Sequence, residues 1–193
     1  MTRIGSRPSR LNAVGVLARG AFAAVALLVA TAARAADGVE GQDARLTPVV
    51  AGVWIAGQIT PQQVEGLAAR GMTAIIDLRP DDEEAGQPSS QQVGNAAERA
   101  GLSFSYAPVE RGGLPEQAAV DAVSRALLHP GTTVVLYCHS GRRAARAWAL
   151  AEASRNGGLE AEAIEAAAKS AGQPVDDLQE QIAARIATRV KLP

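Results

Sequence analysis

Short β-forming runs alternate with helical segments along most of this 193-residue chain. The runs 73–79 (TAIIDLR) and 132–137 (TTVVLY) are largely apolar or β-branched, which is typical of strands buried in a parallel sheet. Helical stretches with capping signals separate such runs, as at Thr60-Pro61. This alternation predicts an α/β domain with a mainly parallel sheet, in which ligands bind beyond the carboxyl ends of the strands.

The first 35 residues differ in kind from the rest. They hold five arginines and no acidic residue, and an apolar run occupies 20–33. Together with the Ala-Arg-Ala sequence that ends at Ala35, this pattern predicts a secretory signal peptide cleaved after Ala35 or Ala36. The apolar run is too short to span a bilayer comfortably. We therefore expect a periplasmic or secreted protein, with no stable membrane insertion after cleavage.

The remaining chain is interpreted as a linker at 36–47, which is polar and irregular, and one domain at 48–193. The last two helices of this domain are predicted at about 159–190. Loss of the five signal-peptide arginines leaves acidic residues in excess. Because neutralisation of phosphates supplies most of the affinity of nucleic-acid binders, an acidic chain with few aromatic residues is not expected to bind nucleic acid.

Cys138 is the only cysteine of the sequence and follows the run 132–137 directly. Cysteines of exported proteins usually pair in disulfides, so an unpaired one needs another explanation. At a strand-to-helix turn, backbone N–H groups converge and attract an anion, and the same field favours the nucleophilic thiolate. Gly141 allows such a turn to close. We predict that Cys138 is a nucleophile, with a buried hydrophobic cysteine as the alternative.

Arg143 lies five positions after Cys138, in the first turn of the predicted helix. Its planar guanidinium can donate two parallel hydrogen bonds to a tetrahedral oxyanion. The alternative is that Arg142, Arg143 and Arg146 form a solvated basic helix face, and two of the three are expected to do so. Only two histidines, His129 and His139, accompany the single cysteine. This spacing predicts no metal site. No cofactor is expected.

Three segments of the sequence resemble the beta-lactamase hydrolase-like protein phosphatase-like family, a branch of the protein-tyrosine-phosphatase fold. They are GQITPQQVEGLAARGMTAIIDLRPDDEEAGQPS, YAPV and YCHSGRRAARAWALA, within about residues 48–175. The resemblance implies a phosphatase-like catalytic domain with four or five strands and helices on both faces, as in tyrosine and dual-specificity phosphatases. By position it implies a thiolate nucleophile at Cys138 and an oxyanion-binding arginine at Arg143. The implied anion-binding loop consists of His139, Ser140, Gly141 and Arg142.

The sequence departs from the usual phosphatase pattern of His-Cys-(x)5-Arg followed by Ser or Thr. Tyr137 replaces the histidine, and only four residues separate Cys138 from Arg143. Ala144 stands where a hydroxyl would ease departure of the sulfur from a phospho-intermediate. A Cys-x-x-Gly-x-Arg loop is similar instead to rhodanese-type sulfurtransferases, in which it holds a persulfide.

A phosphatase also needs a general acid that protonates the leaving oxygen. The resemblance implies that this acid follows the strand predicted at 102–109, where Glu110 is the only acidic residue. The acidic run 81–84 is a second set of candidates. Asp77 and Arg79 are expected to brace neighbouring loops.

The leading hypothesis is an exported cysteine-dependent phosphatase-like hydrolase that forms a phosphocysteine at Cys138. A rhodanese-like sulfurtransferase with a persulfide on Cys138 is the first alternative, and a non-catalytic anion-binding module is the second. The substrate would be a phosphorylated or sulfane-sulfur small molecule or protein.

Overall fold

The structure is a computed structural model that describes residues 43–190. The predicted signal peptide and most of the predicted linker lie outside the described residues. The first strand begins at Leu46, two residues before the predicted start of the domain. The strands are β1 (Leu46–Val50), β2 (Val53–Ala56), β3 (Ala74–Asp77), β4 (Ser103–Tyr106) and β5 (Val134–Tyr137).

These strands form a five-stranded sheet in the order β1-β2-β5-β3-β4. Strands β1 and β2 pair in antiparallel fashion, and every other pairing is parallel. The prediction of a mainly parallel sheet is therefore confirmed. Because β5 lies between β2 and β3 and runs parallel to both, the carboxyl ends of these three strands meet at one edge of the sheet.

The helices begin largely at the sequence signals expected to start them. At the first, the Thr60 backbone N–H donates to the Gln63 side chain over 3.0 Å, one half of a capping box. Between residues 43 and 190, no helix combines the length and the apolar character needed to cross a membrane. The helices are α1 (Val64–Ala69, after a 3₁₀ turn at Pro61–Gln63), α2 (Ser90–Arg99), α3 (Gln117–Leu128), α4 (Arg142–Ser154), α5 (Ala161–Ser170) and α6 (Gln179–Ala187, after a 3₁₀ turn at Asp176–Leu178).

The central strand β5 contributes side chains to both faces of the sheet in alternation. Val134 and Leu136 pack in the core that contains α3, α4, α5 and α6, whereas Val135 and Tyr137 pack in the core with α1 and α2. All four are buried. Burial of a large apolar side chain stabilises the fold by about 1.5–3 kcal/mol, which explains why this continuous run forms the centre of the sheet. The prediction of helices on both faces is confirmed.

Helix α4 is buried on nearly all sides, although it begins with two arginines. It is rich in alanine, and small side chains allow α3, α5 and α6 to pack closely around it. Trp148 in its middle is fully buried. This packing fixes the first turn of α4 beyond the carboxyl end of β5.

Candidate active site

Cys138 lies at the carboxyl end of β5, between the ends of β2 and β3. The chain around it is hydrogen-bonded on both sides. The backbone N–H of Gln58 donates to the carbonyl of His139 over 3.2 Å, and that of Leu78 donates to the carbonyl of Tyr137 over 2.9 Å. The loop after Cys138 is thus held by the segments that follow both neighbouring strands.

The sulfur of Cys138 accepts a hydrogen bond from the backbone N–H of Gly141 over 3.2 Å. Gly141 is the N-cap residue of α4 and has a φ of 91°. Cys138 and Gly141 are buried, whereas His139 and Ser140 between them are exposed. The predicted turn is therefore present, and it directs at least one amide at the sulfur. Such a donor stabilises a thiolate.

A side chain at position 141 is expected to destabilise the fold. A Cβ atom there would lie 2.8 Å from Cγ2 of Ile55, in addition to the strain of the positive φ. Gly141→Ala should lower the free energy of unfolding by about 2 kcal/mol, measured by chemical denaturation. Gly172→Ala is the matched control, because Gly172 also has a positive φ but has open space around its Cβ position. Equal losses in the two variants would contradict a close contact at Gly141.

Arg143 is buried in the first turn of α4, and a carboxylate orients it. Its two terminal nitrogens donate to the two carboxylate oxygens of Glu83 over 2.8 and 2.9 Å, and the first also donates to the carbonyl of Val109 over 2.7 Å. Burial acts to lower the pKa of Arg143, but Glu83 and next Cys138 raise it above its ordinary value. Cys138 is thus close enough for its charge to act on the guanidinium.

The contacts of Arg143 leave one edge of its guanidinium open. The Nε–H and one N–H of the second terminal nitrogen have no hydrogen-bond partner among residues 43–190. These two donors are parallel, which is the geometry that binds two oxygens of one oxyanion. Arg143 can therefore bind Glu83 through its two terminal nitrogens and an anionic ligand through Nε and the second terminal nitrogen.

Glu83 was one of four neighbouring acidic candidates in the sequence, and the structure singles it out. Besides Arg143, it accepts a hydrogen bond from Nε of Arg79 over 2.7 Å. The hydrogen bond from Arg143, the largest favourable influence, helps to lower the pKa of Glu83 to about 2. Both of its oxygens are thus engaged by arginines, and the lowered pKa opposes protonation. Glu83 therefore fits a role in positioning Arg143 and does not fit that of a general acid.

Arg79 braces the loops around the site, which agrees with the role expected from the sequence. It is 3% exposed, and it donates to the side chains of Gln58 over 2.6 Å and Glu84 over 2.8 Å. Its backbone N–H donates to Asp77 over 2.9 Å. The segments after β2 and β3 are thereby joined beside Cys138.

Asp77 is buried at the end of β3, and burial raises its pKa to about 6. A raised pKa in the folded state means that Asp77 favours folding most when it is protonated, and that this contribution is lost as the pH rises through about 6. The free energy of unfolding of the wild type, relative to that of Asp77→Asn, should therefore fall between about pH 4 and pH 7. Denaturation of both proteins across this range checks the prediction. A constant difference would contradict it.

Glu110 lies at the rim of the site. It is exposed, and no hydrogen bond of its carboxylate is found within residues 43–190. It directly follows Val109, whose carbonyl contacts Arg143. The structure thus brings Glu110 next to the site but does not join its carboxylate to Cys138. Asp81, from the second candidate set, instead accepts hydrogen bonds from the backbone and hydroxyl of Ser90 at the start of α2.

The three arginines of α4 have different surroundings. Arg142 is exposed, but Arg143 and Arg146 are each 7% exposed. The alternative of a solvated basic face is therefore wrong for these two, because α4 is enclosed by other helices.

His139 lies with Nδ1 3.5 Å from a carboxylate oxygen of Glu84. Within residues 43–190, no three His, Cys, Asp or Glu side chains are grouped as a metal ion would require.

Known proteins share both the sequence and the fold of this region. The model of the family described as beta-lactamase hydrolase-like protein, phosphatase-like domain, matches residues 44–155. The beta-lactamase hydrolase-like protein of Xylella fastidiosa is 39% identical over 98 residues, which make up 51% of this chain and 22% of that protein. The match thus spans less than a quarter of the relative's length.

Solved structures agree with this assignment. That of a candidate phosphatase from Neisseria meningitidis has a TM-score of 0.59 and 26% identity, and the match covers 72% of this chain and 96% of the other. The active form of Tk-PTP gives a TM-score of 0.58 at 16% identity, with coverage of 75% and 97%, and supports the fold alone. The resemblance and the protein-tyrosine-phosphatase-like fold predicted from the sequence are confirmed.

Proposed function

We propose that this chain, which belongs to the family of the beta-lactamase hydrolase-like protein phosphatase-like domain, is a hydrolase that uses Cys138 to cleave a phosphorylated small molecule or protein. The family and the fold are phosphatase-like. One observation carries the proposal to this site: Gly141, whose N–H donates to the sulfur of Cys138, caps the helix turn that holds Arg143, and one edge of the Arg143 guanidinium has no partner among residues 43–190.

In the first step, the thiolate of Cys138 attacks phosphorus and forms a P–S bond as the P–O bond to the leaving group breaks. Arg143 and the N–H of Gly141 stabilise the charge on the phosphoryl oxygens. The leaving oxygen takes a proton from a general acid, for which Glu110 is the candidate. Its exposed carboxylate would have to turn inward from the rim when substrate binds.

In the second step, water attacks phosphorus and the P–S bond breaks, which releases inorganic phosphate and restores the thiolate. Glu110, now ionised, would accept the proton from water. Ala144 is fully buried and supplies no hydroxyl to the departing sulfur. This second step is therefore expected to be slower than the first.

Hydrolysis of an aryl phosphate by the purified protein and by Arg143→Ala tests this proposal. Activity that depends on Arg143 is the expected result. Equal activity of the two proteins would contradict it. Phosphate binding without any turnover would instead indicate the non-catalytic anion-binding module.

A rhodanese-like sulfurtransferase remains a second candidate, because two features of the loop favour it. The loop has the short form Cys-x-x-Gly-x-Arg, and Ala144 gives no help to the release of phosphate. In this reaction the thiolate would attack the outer sulfur of thiosulfate, release sulfite and keep a persulfide, which cyanide would remove as thiocyanate. Formation of thiocyanate without aryl phosphate hydrolysis would establish this candidate over the phosphatase.

Export to the periplasm or the medium is also part of the proposal. It is supported by the basic start, the apolar run and the Ala-Arg-Ala sequence of the first 35 residues. Expression of the full chain with a carboxyl-terminal tag in a Gram-negative host, followed by amino-terminal sequencing, tests it. Recovery from the periplasm or the medium with Ala36 or Asp37 at the amino terminus is expected. A cytoplasmic protein that retains residues 1–35 would contradict export.

A further inference from the structure

A second basic recess adjoins the site of Cys138. It is a cavity of about 320 Å³ between the start of α4, the turn before α3 and the 3₁₀ turn before α6. The turn before α3 contributes two glycines, which leave the space open. The cavity is lined by Gly112, Gly113, Arg142, Arg143, Arg146 and Asp177. Because Arg143 also belongs to the proposed phosphate site, the recess adjoins that site.

Arg146, which lines this cavity, has an unused hydrogen-bond donor. Its side chain is 9% exposed, and a terminal nitrogen pairs with the carboxylate of Asp177. Its Nε is buried and has no hydrogen-bond partner among the described residues. Buried donors are nearly always paired in folded proteins, so Arg146 has hydrogen-bonding capacity that Asp177 does not use.

The residues that line the cavity carry more positive than negative charge, which favours an anionic ligand. Glu83, which pairs with Arg143, is not among the residues that line the cavity. Asp177 is the one acidic residue in that lining. Asp177 contacts Arg146 closely and lies 4.0 Å from Arg142. Its side chain is 48% exposed, so it can turn toward solvent when another anion enters. The carboxylate of Asp177 thus occupies a position at which Arg142 and Arg146 could bind another anion.

We infer that Arg142 and Arg146, the arginine subsite, bind a second phosphoryl group of the substrate in place of Asp177, while the first lies at Cys138 and Arg143. A phosphoryl group offers several acceptor oxygens in a tetrahedron, enough to accept hydrogen bonds from both guanidiniums. The substrate class is then a compact molecule with two phosphoryl groups close together. This inference rests on the proposed function and names its substrate class.

Calorimetric titration of the purified protein with non-hydrolysable probes tests the subsite. The probes are alkane bisphosphonates with one to three carbons between the phosphorus atoms, and methylphosphonate as the single-anion reference. At least one bisphosphonate is expected to bind about tenfold more tightly than methylphosphonate. Equal affinities for all probes would overturn the inference.

Three variants assign the preference to the arginine subsite. Arg146→Met should reduce the ratio of bisphosphonate to methylphosphonate affinity about tenfold, whereas Asp177→Asn should increase it. Arg125→Met is the control for the loss of one positive charge, because Arg125 is exposed on α3 and lines other cavities. A similar decrease of the ratio in Arg125→Met, or a decrease in Asp177→Asn, would overturn the inference.

A variant that does not fold, and a protein without turnover, can both be distinguished from a failure of this inference. If Arg146→Met does not fold, Arg142→Gln replaces it, since the side chain of Arg142 is 64% exposed. Binding is measured without hydrolysis, so a protein that prefers bisphosphonates but hydrolyses no phosphate ester contradicts the proposed function and supports the subsite. A protein that hydrolyses aryl phosphate but shows no bisphosphonate preference supports the proposed function and contradicts the subsite.

Discussion

Replacement of Cys138 by serine is expected to lower kcat/KM for aryl phosphate hydrolysis by at least about a thousandfold. A serine hydroxyl is a much weaker acid and a poorer nucleophile than a thiol, and no carboxylate or imidazole is hydrogen-bonded to Cys138 within residues 43–190 to activate such a hydroxyl. Steady-state kinetics of the two proteins measures the loss.

The control for this variant is binding. Serine is close to cysteine in size, so Cys138→Ser should fold with an unchanged melting temperature and still bind inorganic phosphate in calorimetry. Loss of turnover with binding retained assigns the effect to the nucleophile. Hydrolysis that survives in Cys138→Ser would contradict a covalent mechanism through this sulfur.

Replacement of Glu83 by alanine is expected to have the second largest effect. Glu83 is the shared partner of Arg143 and Arg79, whose side chains are 9% and 4% exposed. Removal of one partner leaves buried charge uncompensated, which costs about 3 kcal/mol in the free energy of unfolding. Arg143 would also lose its fixed orientation, so kcat/KM should fall by about a hundredfold. Chemical denaturation and steady-state kinetics measure the two effects.

Glu84→Ala is the matched control for Glu83→Ala. Glu84 also pairs with Arg79, but its side chain is 57% exposed, and an exposed ion pair contributes less than about 1 kcal/mol. Its removal should therefore change stability little. Equal losses in the two variants would contradict a special role of Glu83.

The pH dependence of the Glu83 effect has a defined sign. Because its pKa is lowered from 4.5 to about 2, the contribution of the ionised group to stability is complete above about pH 5 and is lost as the pH falls through about 2. The stability difference between the wild type and Glu83→Ala should thus be constant from about pH 5 to pH 8. A difference that changes within this range would show that another group titrates with it.

The fold and the turn that holds Cys138 could be predicted from sequence because both depend on local patterns. The apolar run 132–137 specifies a buried strand, and Cys138, Gly141 and Arg143 follow within six residues. A strand, a glycine turn and a helix start determine their own geometry. The family-specific segments around 73–79 and Cys138 then identified the fold.

The partner of Arg143 could not be predicted in this way. Glu83 is 60 positions away from it, in an irregular loop where four acidic residues follow one another. No period of a strand or helix distinguishes Glu83 from its neighbours, and the choice depends on how the loop after β3 packs against α4. The burial of Arg146 could not be predicted either, because arginines of a helix usually face solvent. Only the tertiary packing of α3, α5 and α6 around α4 encloses it.

The most direct test of the account is the mass of the protein quenched in acid within milliseconds of mixing with an aryl phosphate. Because Ala144 cannot assist the second step, the intermediate should accumulate, and peptide mapping should find one added phosphoryl group on Cys138. Hydrolysis that proceeds while Cys138 stays unmodified, under conditions in which product forms in a burst, would contradict the account.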